Sequence, residues 1–351
     1  MSKLTHGNWT TISMPDGYDT DIDHDLKYIR SANSLPQEKI NITNSCNVPW
    51  TTISVDHKGR VFLCSCDGWL PYSAGMADNF SSIDEIFNSQ VAKEIQKSII
   101  EKKYTFCVVD SCGVRTKSKW HSGNTIFLNI GVDIGCNLSC PSCRERVILD
   151  TSEEYLAERY KWVDSIISWI RNSPDKRFDV TIGSNGDPFV SNVYLRCITA
   201  MQDLTNVNLS IKTNGLFAKY QLRKLDNIDK IKSLSISIDA GSKDVYELVR
   251  RGARWETLLD NLEYLSSLTR IHKSANFVVQ KSNFKDMKNF VELCQRYNMH
   301  ANFSHLSDWG TWHNFQDQCV HIPSSPHYAE LKEILKDPIF KTTSLDILKN
   351  I

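Results

Sequence analysis

Apolar residues recur along the chain with two different periods, and the two periods alternate from about residue 125 onward. Short runs rich in β-branched and aromatic residues predict buried strands, whereas apolar residues spaced three and four apart predict amphipathic helices. The predicted strands are 125–134, 178–182, 207–212, 233–238, 275–279 and 301–304, with helices at 152–170, 192–201, 216–225, 255–268 and 284–297. Because strands alternate with helices over connections of this length, the pattern predicts parallel βαβ units in an α/β fold.

The chain before residue 125 has a different pattern. Thr52–Val55 and Arg60–Leu63 predict a hairpin, and residues 83–100 carry a helical apolar stripe that is interrupted after its first turns. Ser82, with Glu85 three residues later, is a capping-box signature at the start of that stripe. We therefore divide the chain into a polar arm (1–44), a cysteine-rich hairpin-plus-helix domain (45–124), a six-stranded α/β unit (125–305) and a closing segment (306–351).

Composition adds limits to this picture. Hydrophobic residues make up 41% of the chain, which supports an ordinary globular core, and 41 basic residues balance 41 acidic ones, so the net charge gives no argument for a nucleic-acid partner. No run reaches the length of a membrane-spanning helix and the first residues lack an apolar signal core, so we expect a cytoplasmic protein without a membrane partner. Cysteines stay reduced there, and the eleven in this chain therefore indicate metal ligands more than disulfides.

Three of these cysteines follow the first strand of the α/β unit within eight residues, at Cys136, Cys140 and Cys143. We call residues 136–143 the cysteine loop. Three thiolates on one loop suit an iron–sulfur cluster. A structural zinc site is the rival interpretation, but such a site normally takes four ligands, often from two Cys-x2-4-Cys knuckles, and no second knuckle follows in the sequence. Three protein ligands leave one iron of a cubane cluster open to another ligand.

The cysteine loop, the strand before it and Arg144 after it together resemble the radical S-adenosylmethionine (SAM) superfamily. The resemblance implies a partial (β/α)6 TIM-type barrel over residues 125–305, two strands short of the full TIM barrel. It also implies that the three loop cysteines hold a [4Fe–4S] cluster whose open iron is chelated by the amino and carboxylate groups of SAM. Ser142 departs from the pattern, because the family commonly has an aromatic residue at that position.

Segments after the later strands extend the resemblance, since functional residues of parallel α/β barrels lie at the carboxyl ends of the strands. The SAM-binding residues that the family implies by position are Gly186, Asp187, Asn214, Ser237, Arg250 and Gln280, with Asn283 beside the last of them. Asp187 stands where the family usually has Glu, in a segment whose backbone binds the SAM amino group. An ordinary βα turn uses the same residue types as this segment. A surface salt bridge is the alternative role for Arg250, and the adjacent Arg251 leaves the choice open.

The cysteines before the barrel resemble the auxiliary-cluster module of the same superfamily, the SPASM or shorter twitch domain. Cys46, Gly59 and Cys64 fit its first half, Cys-x(9–15)-Gly-x4-Cys, and the closing pair is Cys107 and Cys112. Two features depart from the module: it precedes the barrel here, and four residues rather than two separate the closing pair. We expect one auxiliary iron–sulfur cluster of the [4Fe–4S] type, with Cys66 as a substitute ligand. A zinc-stapled hairpin and helix is the alternative.

The resemblance implies an enzyme that reductively cleaves SAM to a 5′-deoxyadenosyl radical, which abstracts a hydrogen atom from a peptide or small polar substrate. In this interpretation the auxiliary cluster binds the substrate or accepts an electron, and a flavodoxin or ferredoxin supplies the reducing electron. The alternative from a different functional class is a non-catalytic zinc-binding interaction protein.

The segment after the sixth strand carries aromatic and polar side chains, namely His305, Asp308, Trp309, Trp312, His313 and Cys319. These side chains either line a substrate site at the barrel mouth or pack under the auxiliary domain. Tyr328–Leu335 predicts an amphipathic helix that closes the barrel. Cys197 and Cys294 fall on predicted helices, where a cysteine is more often a small buried residue than a ligand.

Overall fold

The computed structural model describes residues 46–65, 70–107 and 124–345. The predicted polar arm, Cys66 and Cys112 lie outside the described residues. The ten strands of the described chain form one continuous sheet. No helix in the described ranges is long and apolar enough to cross a membrane.

The N-terminal part consists of short elements: α1 (Val48–Thr51), β1 (Thr52–Val55), β2 (Arg60–Phe62), β3 (Ser73–Met76), α2 (Ile83–Asn88) and α3 (Gln90–Ile100). β1 and β2 form the predicted antiparallel hairpin, and β3 pairs antiparallel with β2. The interrupted stripe is two helices because Ser89 leaves helical geometry and caps α3, its Oγ accepting from the Ala92 N–H at 3.2 Å. Ser82 Oγ accepts from the Glu85 N–H at 3.3 Å, as the capping box predicts.

The rest of the chain alternates strands and helices: β4 (Thr125–Ile130), α4 (Glu153–Arg171), β5 (Arg177–Ile182), α5 (Asn192–Met201), β6 (Val207–Thr213), α6 (Ala218–Leu222), β7 (Ile231–Ser237), α7 (Lys243–Val249), α8 (Trp255–Ser266), β8 (His272–Val279), α9 (Met287–Arg296), β9 (His300–His305), α10 (Tyr328–Ile334) and β10 (Ser344–Leu345). Most boundaries fall within three residues of the predicted ones. The first strand is the exception, since β4 ends at Ile130 rather than at Ile134.

β4 to β9 are parallel neighbours in chain order, which is the six-stranded partial barrel that the sequence predicts. The sheet continues beyond both edges of the barrel. β1 pairs parallel with β4, with Ser54 opposite Asn129, and β10 pairs parallel with β9. The N-terminal hairpin therefore extends the barrel sheet on the β4 side.

Side chains alternate between the two faces of the barrel strands, as a strand requires. One face is apolar and buried against the helices, as with Leu209 and Ile211 of β6. The other face lines the inside of the partial barrel, which we call the lumen, and it is largely polar. Its residues are joined across strands: Asn276 Nδ2 donates to Ser235 Oγ at 2.6 Å, and Asn129 Nδ2 donates to Ser54 Oγ at 3.2 Å.

The hairpin turn packs tightly against helix α4. Gly59 has φ +76°, and a Cβ there would lie 2.3 Å from an indole carbon of Trp162. One turn earlier on the helix, Arg159 Nη2 donates to the His57 carbonyl at 3.3 Å, and its guanidinium lies 3.4 Å from the Tyr155 ring centre. Gly59, the glycine of the pattern formed by Cys46, Gly59 and Cys64, is therefore required for this packing as well as for the turn.

Candidate functional site

The cysteine loop begins with a bend that a buried carboxylate holds in place. Asp133 Oδ1 accepts from the N–H groups of Ile134 at 2.8 Å and Gly135 at 3.1 Å. The same carboxylate also accepts from the hydroxyls of Tyr155 and Ser191. Because the Asp133 side chain competes for backbone N–H groups that a strand would use, the chain turns away from the sheet. This explains why β4 ends earlier than its apolar pattern predicts.

Beyond the bend, the loop is closed by backbone hydrogen bonds. Cys136 and Ile148 form an antiparallel bridge, with N···O distances of 2.7 and 3.2 Å. The Cys143 N–H donates to the Cys140 carbonyl at 2.9 Å, which makes the second half of the loop a tight turn. Cys140 is buried, Cys136 is partly buried and Cys143 is exposed, so the three thiols occupy different depths on one short loop.

Arg144 fixes the loop to the next strand end. Its Nη1 donates to the Ile134 carbonyl at 2.6 Å and its Nη2 to the Asn185 carbonyl at 2.7 Å. Burial alone lowers the pKa of Arg144, but a hydrogen bond to Cys143 and the nearby charges of the loop sulfurs outweigh burial and raise that pKa. The guanidinium therefore stays charged next to the cysteine sulfurs.

Arg250 reaches the loop from the turn after α7. Its Nη2 lies 2.9 Å from Asp239 Oδ2, and its Nη1 lies 3.6 Å from Cys140 Sγ. Both members of the ion pair are largely buried, with 13% and 3% of their side chains exposed, so the surface salt bridge considered for Arg250 is not what the fold contains. Although burial lowers the pKa of Arg250, the charges of Asp239 and Cys140 raise it further than burial lowers it.

The adjacent Arg251 also contacts the loop, but from its exposed side. Its Nε donates to Ser139 Oγ at 3.1 Å and its Nη2 donates to the Glu145 carbonyl at 3.1 Å. The Ser139 N–H donates in return to the Arg251 carbonyl at 3.1 Å. The two arginines therefore have different contacts: Arg250 contacts a sulfur, and Arg251 holds the loop backbone.

Asn214, at the end of β6, approaches the loop from a third direction. Its Nδ2 donates to Asn137 Oδ1 at 2.9 Å and lies 4.0 Å from Cys136 Sγ. Asp187 holds this asparagine in place, because its carboxylate accepts from the Asn214 N–H at 2.6 Å and from Thr213 Oγ1 at 2.9 Å. A third donor, the Phe189 N–H at 3.0 Å, completes the set. The buried Asp187 carboxylate thus joins two strand ends.

The other residues implied by position have more varied surroundings. Gly186 packs on the start of the cysteine loop, where a Cβ would lie 2.5 Å from the Gly135 carbonyl oxygen. Ser237 is the last residue of β7 and is partly exposed on the lumen side. Gln280 is buried after β8, and its N–H donates to Asn283 Oδ1 at 2.8 Å. Asn283 itself donates to the carbonyls of Asp239 and Val278, both at 2.9 Å, so it joins strand ends.

Polar atoms near Cys140 indicate room for a ligand. The Tyr246 hydroxyl and Arg250 Nε are buried and have no hydrogen-bond partner among the described residues, whereas buried polar groups normally have one. No three His, Cys, Asp or Glu side chains of the described ranges lie close enough to hold a single metal ion. Three thiols on one short loop suit an iron–sulfur cluster, which is held by cysteine thiolates. Burial raises the pKa of the Cys136 thiol to about 11, so its thiolate depends on nearby positive charge.

The structure describes three of the predicted auxiliary cysteines. Cys64 lies two residues after the end of β2, and its carbonyl accepts from Ser54 Oγ at 2.5 Å. The hairpin register places Cys64 beside the start of β1, the end from which Cys46 enters. Cys107 follows α3 through a turn, its N–H donating to the Tyr104 carbonyl at 3.0 Å. Cys46 and Cys107 are partly buried and Cys64 is buried. Cys197 and Cys294 are buried on helices, as predicted.

The segment after β9 contains several buried polar atoms. Thr311 Oγ1, Trp312 Nε1 and His321 Nδ1 have no hydrogen-bond partner in the described part of the chain. The His321 ring lies against His305 at the end of β9, with ring centres 4.4 Å apart. Burial, together with the neighbouring His305, lowers the pKa of His321 to about 4. Neutral imidazole and indole groups at the carboxyl end of the last barrel strand suit the binding of a polar molecule.

One residue of the site has no counterpart in the sequence-based prediction, and another has no predicted contact. Asp133 shapes the start of the cysteine loop, and Arg144, which the sequence analysis names only as part of the motif, joins the loop to the Asn185 carbonyl. A single carboxylate between Val132 and Ile134, inside an otherwise apolar run, was the available signal for Asp133. Nothing in the sequence indicates which carbonyls Arg144 binds, because its partners belong to two different loops.

Comparison with known families agrees with this geometry. Residues 134–294 match the model of the radical SAM superfamily, and residues 46–113 match the model of an iron–sulfur cluster-binding domain, SPASM. The second match lies before the first, as the cysteine spacing predicts. Neither match describes a zinc protein, so the alternative of a non-catalytic zinc-binding interaction protein is wrong.

Individual relatives are distant. The chain is 25% identical over 183 residues to molybdenum cofactor biosynthesis protein 1 of Dictyostelium discoideum, covering 50% of this chain and 28% of the relative. It is 25% identical over 136 residues to a probable GTP 3′,8-cyclase of Saccharolobus islandicus, covering 37% of this chain and 42% of the relative. The chain thus spans less than half the length of these two curated relatives.

Among solved structures, SuiB of Streptococcus suis bound to S-adenosylmethionine aligns with a TM-score of 0.44 and 16% identity, covering 73% of this chain and 59% of that one. The two family-model matches agree with the cysteine spacing and with the six-stranded barrel. A [4Fe–4S] cluster with SAM and an auxiliary iron–sulfur cluster are the cofactors of such a chain. The chain belongs to the radical SAM superfamily of enzymes and carries a SPASM-type iron–sulfur domain ahead of its barrel.

Proposed function

We propose that Cys136, Cys140 and Cys143 hold the [4Fe–4S] cluster and that this chain cleaves SAM reductively to act on a peptide or small polar substrate. The observation that carries the proposal is the convergence on the loop of groups from separate strand ends. Arg250 approaches Cys140 to 3.6 Å and Asn214 approaches Cys136 to 4.0 Å. A loop that merely connected two elements would not need buried charge from elsewhere in the barrel.

When bound, the cluster and SAM supply a 5′-deoxyadenosyl radical able to abstract a hydrogen atom from a substrate C–H bond. The chain's own residues provide the setting for that chemistry. Arg144 and Arg250 place two positive charges beside the loop sulfurs, which stabilises thiolates that burial alone disfavours. Asp133, Asp187 and Arg251 hold the backbone, so the loop is preorganised before any cofactor binds.

The proposed SAM site lies between the cysteine loop and the strand ends of β5 to β8. The Arg250 guanidinium, with its unpartnered Nε, suits a carboxylate, and the Tyr246 hydroxyl beside it suits a second polar group. The backbone of Gly186 and Asp187, the Ser237 hydroxyl and the Gln280 side chain complete the proposed contacts. Asn214 orients the loop rather than the ligand, since both ends of its amide already have partners.

The substrate is proposed to enter the lumen from the same end of the barrel. Thr311, Trp312 and His321 offer buried polar atoms there without partners among the described residues. Cys46, Cys64, Cys107 and Cys112 are proposed ligands of the auxiliary cluster, which binds the substrate or accepts an electron. The reducing electron is proposed to come from a flavodoxin or ferredoxin, which would meet the exposed Cys143 side of the loop.

Anaerobically purified protein tests the proposal directly. With dithionite and SAM, we expect 5′-deoxyadenosine and methionine as products, and replacing any one loop cysteine with Ala should abolish both. Cys197→Ala is the matched control, because this cysteine is buried on α5 and is not part of the cysteine loop. SAM cleavage that survives the loop substitutions would show that the site is assigned wrongly.

A purine nucleotide is the second candidate substrate. It rests on the two curated relatives, one of which is named as a GTP 3′,8-cyclase. Incubating the reduced protein with SAM and GTP, and then with a peptide mixture, separates the two substrate classes. Consumption of GTP coupled to 5′-deoxyadenosine formation would select the nucleotide, and unchanged GTP in a protein that cleaves SAM would exclude it.

A further inference from the structure

One lysine on the barrel strands has no counterpart in the site described above. Lys212 is the next-to-last residue of β6, two positions before Asn214 at the cysteine loop. Its neighbours in the strand, Ile211 and Thr213, are buried on the helix-facing side. Because side chains alternate along a strand, Lys212 projects into the lumen. It lies next to the strand end at which we propose the SAM site.

Lys212 has an unusual electrostatic environment. The side chain is reachable by water, yet burial by the surrounding barrel lowers its pKa, and no carboxylate contributes to that shift. The described chain contains no ion pair or hydrogen bond to its ammonium group. By contrast, Lys219 pairs with Asp260 at 2.6 Å, and the buried Lys273 donates to the Leu268 carbonyl at 2.7 Å.

The strands beside Lys212 leave space around its ammonium group. On the β7 side its register partner is Ser235, a small residue. On the β5 side the neighbour is Gly183, which has no side chain and whose Cβ position lies 2.2 Å from the Lys212 carbonyl oxygen. The next lumen residue, Asn276, donates to Ser235. The surroundings are therefore open and rich in small polar groups, but they supply no counter-charge.

We infer that Lys212 binds an anionic group of the substrate, a phosphate or a carboxylate, inside the lumen. Lys212 projects into the lumen without a counter-charge, and an anion that enters the lumen can supply one through a charge-assisted hydrogen bond. The position suits this role, since an anion held at Lys212 places the rest of the molecule toward the cysteine loop. The inference rests on the proposed function, because it names the class of molecule that the lumen accepts.

Amine acylation followed by peptide mass spectrometry tests the inference on the intact holoenzyme. The protein is kept anaerobic with saturating SAM in every sample, and the rate of acetylation of Lys212 is measured alone and with glycerol 3-phosphate, glycerate or glycerol. A bound anion should slow acetylation of Lys212 about tenfold when the anion concentration is about ten times its Kd. The phosphate and carboxylate probes distinguish the two anion sources, and neutral glycerol should have no effect.

Internal controls separate the outcomes. Lys219 on the surface should acetylate at one rate in all samples. Because the variants lack the reporter amine, their anion binding is measured by calorimetric titration: Lys212→Arg should bind the protecting anion within a few-fold of wild type, whereas Lys212→Met should not bind it. Protection by neither anion, or equal protection by glycerol, would overturn the inference. The same wild-type preparation is assayed for SAM cleavage, so a failure at Lys212 in a protein that cleaves SAM leaves the proposed function intact.

Discussion

At the scale of single residues, charge placement next to the cysteine loop depends on partners that are themselves buried. Arg250 carries its charge beside Cys140 because Asp239 holds it at 2.9 Å, and Asp239 is in turn fixed by the Val278 N–H at 2.7 Å. Asp239 adopts φ +61°, a left-handed conformation that costs free energy for a residue with a side chain. The fold thus tolerates local strain in order to place this ion pair.

Replacing Arg250 with Gln should destabilise the protein, because it leaves the Asp239 carboxylate buried without its counter-charge. Breaking a buried pair in this way costs about 3 to 5 kcal/mol, measured as a lower midpoint in urea unfolding of the apoprotein. The double variant Arg250→Gln with Asp239→Asn should recover a large part of that loss. If the two single losses simply add in the double variant, the residues do not interact as described.

Replacing Asp133 with Asn should weaken the hold of the protein on the cluster. The carboxylate accepts from two backbone N–H groups and two hydroxyls, and an amide group would turn one of those acceptors into a donor facing donors. We expect iron to be lost faster to a chelator in this variant, with reduced SAM cleavage. Asp179→Asn is the control, since Asp179 accepts from Asn208 at 2.9 Å near the other end of β5. Equal iron retention by both variants would contradict a positioning role.

At the scale of elements, the N-terminal hairpin is attached to the barrel in two ways. Its first strand continues the sheet beside β4, and its turn packs on α4 through Gly59 and Trp162. Arg159 then links the hairpin to the Tyr155 side chain, whose hydroxyl donates to Asp133. A short series of contacts therefore connects the hairpin turn with the start of the cysteine loop.

Replacing Gly59 with Ala should loosen this attachment. The added Cβ would overlap the Trp162 indole, and its φ of +76° is unfavourable for alanine; overpacking of this kind costs about 1 to 3 kcal/mol. Gly310→Ala is a matched control, because Gly310 has φ +72° but nothing within 4 Å of the Cβ position. Thermal unfolding should show a clearly larger loss for Gly59→Ala. Equal losses would mean that backbone conformation alone, and not packing on α4, requires the glycine.

At the scale of the whole molecule, the two sets of cysteines lie at different levels along the direction of the barrel strands. The cysteine loop follows the carboxyl end of β4, whereas Cys64 lies beside the start of β1, which is level with Phe127 in the lower part of β4. The lumen runs between these levels and is lined by polar residues from Ser54 to Asn276. This arrangement suits one site for SAM and a separate site that a substrate in the lumen can also reach.

Replacing Cys46 and Cys64 together with Ala should therefore remove roughly half of the bound iron, as two four-iron clusters require, while SAM cleavage persists. Iron analysis, the visible spectrum and 5′-deoxyadenosine formation measure the two effects separately. Iron content equal to that of wild type would contradict the auxiliary cluster. Loss of SAM cleavage together with the iron would contradict the independence of the two sites.

The sequence by itself determined the type of chemistry and the order of the elements. Three thiols within eight residues need no distant partner to be recognised, and apolar periodicity reports the strands and helices directly because it reflects local burial. The spacing of Cys46, Gly59 and Cys64 likewise indicated the auxiliary module, which the family match confirms. Such features depend on contacts within one loop or one element, so a linear pattern contains them.

Only the tertiary structure decided which side chains support the loop and which face the lumen. The carboxylates of Asp187 and Asp239 and the guanidinium of Arg250 have partners on other strands, and a linear pattern does not record such distances. The same reason applies to Gly59, whose requirement comes from Trp162 about a hundred residues later, and to Lys212, whose lack of a counter-charge depends on every neighbouring strand. Long-range packing places these groups, and packing is fixed only when the sheet closes around its lumen.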